Sequence, residues 1–354
     1  MSGGGTPFPW PAGSATGIGS MPGTDPGEAA AVVLGELPEL PHLPELPARG
    51  PGADMVGRTA ALLVDIPVET TPTGWRLAQR RGRDLARAAS FLSADLDALE
   101  AATQGYAGPL KIQLCGPWTL AAALRLTRSV EPALSDHGAV ADLTVSLAEA
   151  AAAHVAEVRR RVPGAQVLLQ LDEPSLPGVL SGSLPTASGL RRLPPVDEPS
   201  ASEALRAVGT AGPAPAPYVV HCCARRVPFG VVTSGRATAV SFDLALLGED
   251  EHDAVGELAE AGLGVMAGAV PALPPAVRSR GREASGQDEA RAAAAAIISV
   301  WNRIGLAPAT LTGQVVVTPA CGLAGTAPGR ARAVLAQCRA AAAMIPELIE
   351  EGVR

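Results

Sequence analysis

The chain has 354 residues, 47% of them hydrophobic but only 3% aromatic, and a formal net charge of −7. That length suits one large domain or two ordinary ones, with enough apolar content for a sizeable core. An acidic balance without a basic stripe argues against nucleic acid as the main partner.

Residues 1–13 are rich in glycine and proline, with no charged start and no apolar centre. They are not a signal peptide and are expected to be disordered. From residue 14 to 354 the chain reads as a single unit. Eight short apolar runs, each ending in polar residues, glycine or proline, predict strands at Thr16–Ser20, His42–Pro47, Leu110–Cys115, Val167–Asp172, Tyr218–Cys222, Ala239–Asp243, Gly264–Ala269 and Val315–Pro319. Helical patterns lie between most of them, at Ala53–Val64, Ala139–Arg161, Glu203–Val208, Asp253–Glu260 and Asp288–Ile304. A last helix, Arg330–Ile345, follows Pro328, a residue suited to a first helical turn. Ser181–Pro217, after the fourth strand, is a long Pro- and Ser-rich loop with one helix; it either covers the site in part or is a solvated excursion. The Ala-rich stretches Ala148–Val158 and Ala292–Val300 are too short or too interrupted by charge to span a bilayer, so a cytoplasmic chain with no membrane partner is expected.

Strands alternating with helices imply a parallel sheet. Eight such units imply an α/β fold closed as a single (β/α)8 TIM barrel, whose active site lies at the C-terminal ends of the strands. Most of the chemically capable residues fall there. In a strand, residues two apart share a face. His221 and Cys223 therefore point one way and Cys222 the other. Cys321 follows the eighth strand and Asp243 ends the sixth. One imidazole and two thiolates meet the three-ligand need of a catalytic zinc ion, Zn2+, with Asp243 a fourth ligand displaced by substrate. The competing reading is that buried cysteines are merely small apolar residues, which we favour for Cys115 and Cys338. Asp172 ends a buried strand, where a carboxylate needs a cationic partner, either a substrate or an arginine of the chain.

Six segments in order resemble one family. They are Thr16-Gly17-Ile18-Gly19-Ser20-Met21-Pro22, Ala53-Asp54-Met55-Val56, Leu114-Cys115-Gly116-Pro117-Trp118-Thr119, Gln170-Leu171-Asp172-Glu173-Pro174-Ser175-Leu176, His221-Cys222-Cys223 and Pro319-Ala320-Cys321-Gly322-Leu323. Together they resemble the catalytic, C-terminal barrel of the cobalamin-independent methionine synthases, within the uroporphyrinogen decarboxylase and methionine synthase-like superfamily. The resemblance implies a zinc-dependent methyltransferase of methionine biosynthesis that methylates the zinc-bound thiolate of homocysteine. It implies His221, Cys223 and Cys321 as zinc ligands. The family's fourth ligand is glutamate, for which Asp243 is the nearest match. Asp172 carries over as the contact to the substrate ammonium, and Ile18 and Ser20 as contacts to the same end; Ser20 also suits a helix N-cap.

Three departures from the family pattern stand out. Arg49 aligns with a second acidic residue, Ala123 with a folate-stacking tryptophan and Ala269 with a general-acid histidine. They suggest that the methyl donor is a methylcorrinoid or its carrier protein rather than a folate. Other readings are alkyl transfer to another thiol of the coenzyme M kind, a metal-free decarboxylase-like barrel, and a non-catalytic binding paralogue.

Overall fold

Six of the predicted strands form one parallel sheet, a curled wall carrying helices on its outer side. The computed structural model describes residues 8–273 and 285–353. In chain order the helices are α1 (Pro26–Glu36), α2 (Met55–Leu62), α3 (Arg83–Ala102), α4 (Pro117–Ala123), α5 (His137–Arg161), α6 (Leu176–Leu180), α7 (Glu198–Gly209), α8 (Phe229–Ser234), α9 (His252–Glu260), α10 (Gly286–Arg303), α11 (Pro308–Gln314) and α12 (Pro328–Glu350). A short antiparallel hairpin, β1 (Val68–Thr71) and β2 (Gly74–Leu77), comes before the sheet. The sheet itself runs β3 (Gly108–Cys115), β4 (Ala165–Asp172), β5 (Tyr218–Cys222), β6 (Ala239–Asp243), β7 (Gly264–Val270) and β8 (Val315–Pro319), in that order.

The two-residue repeat sorts each strand into two faces. Leu169, Leu171, Val220, Val240, Val265 and Val317 face the helices and join the main core. Leu168, Val219, Ala239, Met266 and Val316 face the other way and form a second apolar cluster with Trp10 and Leu40. Further along this inner face the residues turn polar: Gln170 and Asp172 on β4, His221 on β5, Ser241 and Asp243 on β6, and Thr318 on β8. The inner face is thus apolar near the strand starts and polar near their ends, which is where chemistry can be placed.

The first two predicted strands do not form as strands. They join their neighbours only through isolated parallel bridges, Ala15 to Val317, Ser20 to Glu45 and His42 to Lys111. Pro41, Pro44 and Pro47 have no backbone N–H to give to a ladder, so pairing stops at single bridges. Gly17 is required by close approach: a Cβ there would overlap the ring of buried His42.

Of the segment expected to be disordered, residues 1–7 lie outside the described residues. Phe8 and Trp10 are placed, with rings stacked 5.1 Å apart, and Trp10 Nε1 donates to Gly313 O at 3.2 Å. In the long segment after β4, α7 starts earlier than predicted, because Asp197 caps it by accepting from Ser200 N at 2.9 Å. Among the described residues one helix, α5, is long and apolar enough to cross a membrane by length and composition. It starts two residues before its predicted beginning at Ala139, and Leu143, Leu147, Ala151, Val155 and Val158 on it are buried in the core of this protein.

Candidate metal centre and substrate site

The order of β4, β5 and β6 builds the site. Asp172 pairs in register with His221, and His221 with Ser241, so three inward-facing side chains stand side by side at the strand ends. Cys223 follows two residues after His221, on the same face. Cys321 enters from the loop after β8. One donor atom from each of His221, Cys223 and Cys321 lies within 4.8 Å of the other two. The two sulfurs are 3.3 Å apart, and both cysteines are free thiols.

This arrangement fits a zinc ion. Ligands about 2.0–2.3 Å from a tetrahedral ion lie about 3.3–3.8 Å from one another. His221 Nδ1 is hydrogen-bonded to Ser241 Oγ at 2.9 Å. Its other nitrogen, Nε2, is buried without a hydrogen-bond partner, which is costly unless something binds it. A partner on one nitrogen that fixes the ring and leaves the other for a metal is the usual form of a histidine ligand. The thiols titrate as a pair. Cys321 is pulled down to about 4, first by its hydrogen bond with Cys223 and then by His221. Cys223 is pushed up, first by the same hydrogen bond and then by burial. His221 is buried, Cys223 half-buried and Cys321 exposed, so the cluster opens on one side.

Asp243 stands outside this three-residue group. Its Oδ1 caps the turn after β6 by accepting from Ala245 N at 2.9 Å. It is near enough for Cys321 to raise, and His221 to lower, its carboxyl, but burial is the main cause of its upward shift. Cys115 and Cys338 are packed in the main core.

Next to the metal cluster is a buried polar network. Asp172 is pushed well above the usual carboxylate range, first by burial and then by Glu45, while Lys111 opposes the shift. Lys111 is fully buried and lowered to about 7 by that burial, with Asp172 and Glu45 opposing. The cation near Asp172 is therefore this lysine, the sole one in the chain, and not an arginine. Lys111 Nζ donates to Ile18 O at 2.8 Å, and Gln170 Nε2 donates to the same oxygen at 2.9 Å. The Ile18 carbonyl is thus already filled, leaving only its N–H for a substrate. Ser20 lies against the loop of Cys321: Leu323 N donates to Ser20 O at 2.8 Å, and a Cβ on Gly322 would overlap Ser20 Oγ. Ser20 caps no helix; Asp25 caps α1.

Sequence reasoning missed Glu45. It put Arg49 at the second acidic position, but Arg49 turns to Asp95, with Nη2 2.7 Å from Oδ1, and lies over the Phe91 ring. Glu45 instead is buried beside Arg58, 3.5 Å from Nε. Burial raises its carboxyl, with Arg58 opposing. No local pattern marks it: Glu45 lies in the proline-broken stretch 41–47 and reaches the site through its bridge to Ser20.

These geometric findings meet three comparisons. Residues 13–344 match the family described as "Cobalamin-independent synthase, Catalytic domain". No curated protein matches the sequence. Among solved structures, a B12-independent methionine synthase from Shewanella sp. W3-18-1 in complex with selenomethionine is similar at 12% identity and a TM-score of 0.49, covering 78% of this chain and 72% of that one. A family that works without cobalamin removes the support for the methylcorrinoid donor and corrinoid carrier protein expected above. The family match spans nearly the whole length described here, and the chain belongs to the cobalamin-independent synthase family as its catalytic domain.

Proposed function

We propose that this chain is a zinc-dependent methyltransferase that converts homocysteine to methionine. The observation that carries the reading is one imidazole and two thiols meeting at a point beside a buried carboxylate. His221, Cys223 and Cys321 would hold the ion, which when bound keeps a substrate thiol deprotonated at neutral pH. Ser241 holds the His221 ring through Nδ1, leaving Nε2 as the nitrogen that would meet the ion. Asp172 and Glu45, both buried, face the ammonium group of the amino acid, whose charge offsets the cost of two carboxylates in one dry site. Ser20 borders the Cys321 loop and closes the site beside them. Asp243 acts on the cluster through its charge, and replaces a ligand only if its turn opens.

The same reading takes the fold to be a closed (β/α)8 barrel. The three bridges from β8 through Ala15, Ser20, Glu45 and His42 to β3 support it, with the first two strands reduced to single contacts. Thiols that must stay reduced suit the cytoplasm.

The test is metal analysis of purified wild type and Cys321→Ser, followed by homocysteine-dependent methyl transfer from a methylated folate. We expect about one zinc per wild-type chain, lost in the variant together with transfer. Full stoichiometric zinc in Cys321→Ser would remove Cys321 from the site and with it the proposed chemistry.

A further inference from the structure

Lys111 is fully buried, is the only lysine of the chain, and is not one of the three residues of the metal cluster. Its Nζ donates to Gln170 Oε1 at 2.7 Å and to Ile18 O at 2.8 Å. The ammonium form of lysine has donors only. The Gln170 amide must therefore turn its oxygen toward Lys111, which turns its NH2 the other way. That NH2 donates to Asp172 Oδ1 at 2.7 Å and to Ile18 O at 2.9 Å. One Asp172 oxygen is held by this bond, leaving Oδ2 for another partner. The amide of a buried glutamine has two orientations of equal shape, and a donor-only neighbour selects one of them.

We propose that Lys111 is a positioning residue for substrate recognition: by setting the direction of the Gln170 amide, it presents Asp172 to the ammonium group of an amino-acid thiol. The assignment rests on the homocysteine reading above. Without Lys111 the amide oxygen loses its donor, and only Ile18 O and Asp172 Oδ1 still hold the NH2 side; the amide is set less firmly, and in the reversed state its oxygen repels the carboxylate that has to meet the ammonium. The role is one of specificity. It concerns the amino end of the substrate and leaves the thiol end, held at the metal cluster, untouched.

The experiment uses zinc-loaded full-length protein and two ligands, homocysteine and 4-mercaptobutyrate, the same chain without the amino group. Their dissociation constants are measured by calorimetry for wild type, Lys111→Met and Gln170→Glu. The second variant still accepts from Lys111 and keeps the shape of glutamine, but has no NH2 to give Asp172, so the test stands if Lys111→Met does not fold. We expect wild type to prefer homocysteine, and each variant to bind it about tenfold more weakly, or worse, while 4-mercaptobutyrate changes by less than about twofold. If wild type discriminates and the folded variants discriminate equally well, or lose both ligands in parallel, the positioning role is overturned while the homocysteine reading stands. If wild type binds the two thiols alike, or neither, the ammonium site itself is refuted and the role of Lys111 with it.

Discussion

Glu173 offers a test in which two physical effects predict opposite signs. It is fully buried and caps the start of α4. Its Oε1 accepts from Trp118 N at 2.9 Å, and its Oε2 accepts from Thr119 N at 2.8 Å and Thr119 Oγ1 at 2.7 Å. Those donors favour the anion; burial favours the neutral acid and dominates, raising the group from 4.5 to about 7. A carboxyl raised in the folded state contributes stability that is full below its unfolded value of 4.5 and is lost as pH rises through 7. At about 1.4 kcal/mol per pH unit the loss is about 3 kcal/mol across that window. Glu173→Gln cannot titrate, but turns an NH2 onto one set of donors, costing about 1–3 kcal/mol at every pH. Urea unfolding of both proteins from pH 5 to pH 8 isolates the group, since other titrations cancel in the difference. The variant should be the less stable at pH 5, and the gap should shift in its favour by about 3 kcal/mol by pH 8. A gap that stays constant or widens with pH would show that the three donors outweigh burial and hold the carboxylate ionised.

Ser241→Ala removes the 2.9 Å partner of His221 Nδ1; zinc affinity, read by chelator competition, should fall about 10–100-fold with the unfolding midpoint nearly unchanged. Gly17→Ala drives a methyl group into the buried His42 ring, and chemical denaturation should show a loss of about 1–3 kcal/mol. Asp95→Ala strands the guanidinium groups of Arg49 and Arg58, both held by that carboxylate. About 3–5 kcal/mol of stability should go, and a thermal midpoint close to wild type would show that the pairs are worth little.

The strand ends were legible because the period-2 alternation of β4, β5 and β6 is clean. His221, Cys223 and Asp172 share a face for the same reason that Cys222 and Leu171 do not. Cys321 was legible only as a chemically capable residue after the last strand; its approach to Cys223 is a long-range contact that no local pattern encodes. Glu45 was not legible, since its segment is broken by prolines and a residue-count alignment fell on Arg49 four positions later. Lys111 also went unused. In sequence it is one polar residue in an apolar strand, and its meaning appears only when Ile18 and Gln170 converge on it. The hairpin of β1 and β2 was missed because Pro72-Thr73-Gly74 reads as punctuation, not as the turn between two short strands.

Fold and site are set by the same register. Asp172 faces inward because Leu171 beside it is fully buried against the helices, and His221 faces inward because Val220 is. A slip of one residue in either strand would send an aliphatic side chain to the polar end of the inner face and a carboxylate or imidazole into the helix layer. Each such charge would lie in an apolar core without a partner, a cost of several kcal/mol. The aliphatic packing on the outer face is therefore what holds the polar donors at the strand ends. It also explains why the inner face can carry Lys111, Asp172 and Glu45 so close together. Each charge faces another across a site whose outer wall is too well packed to yield, so relief must come from within, through pairing with one another or with a substrate bearing the complementary charge.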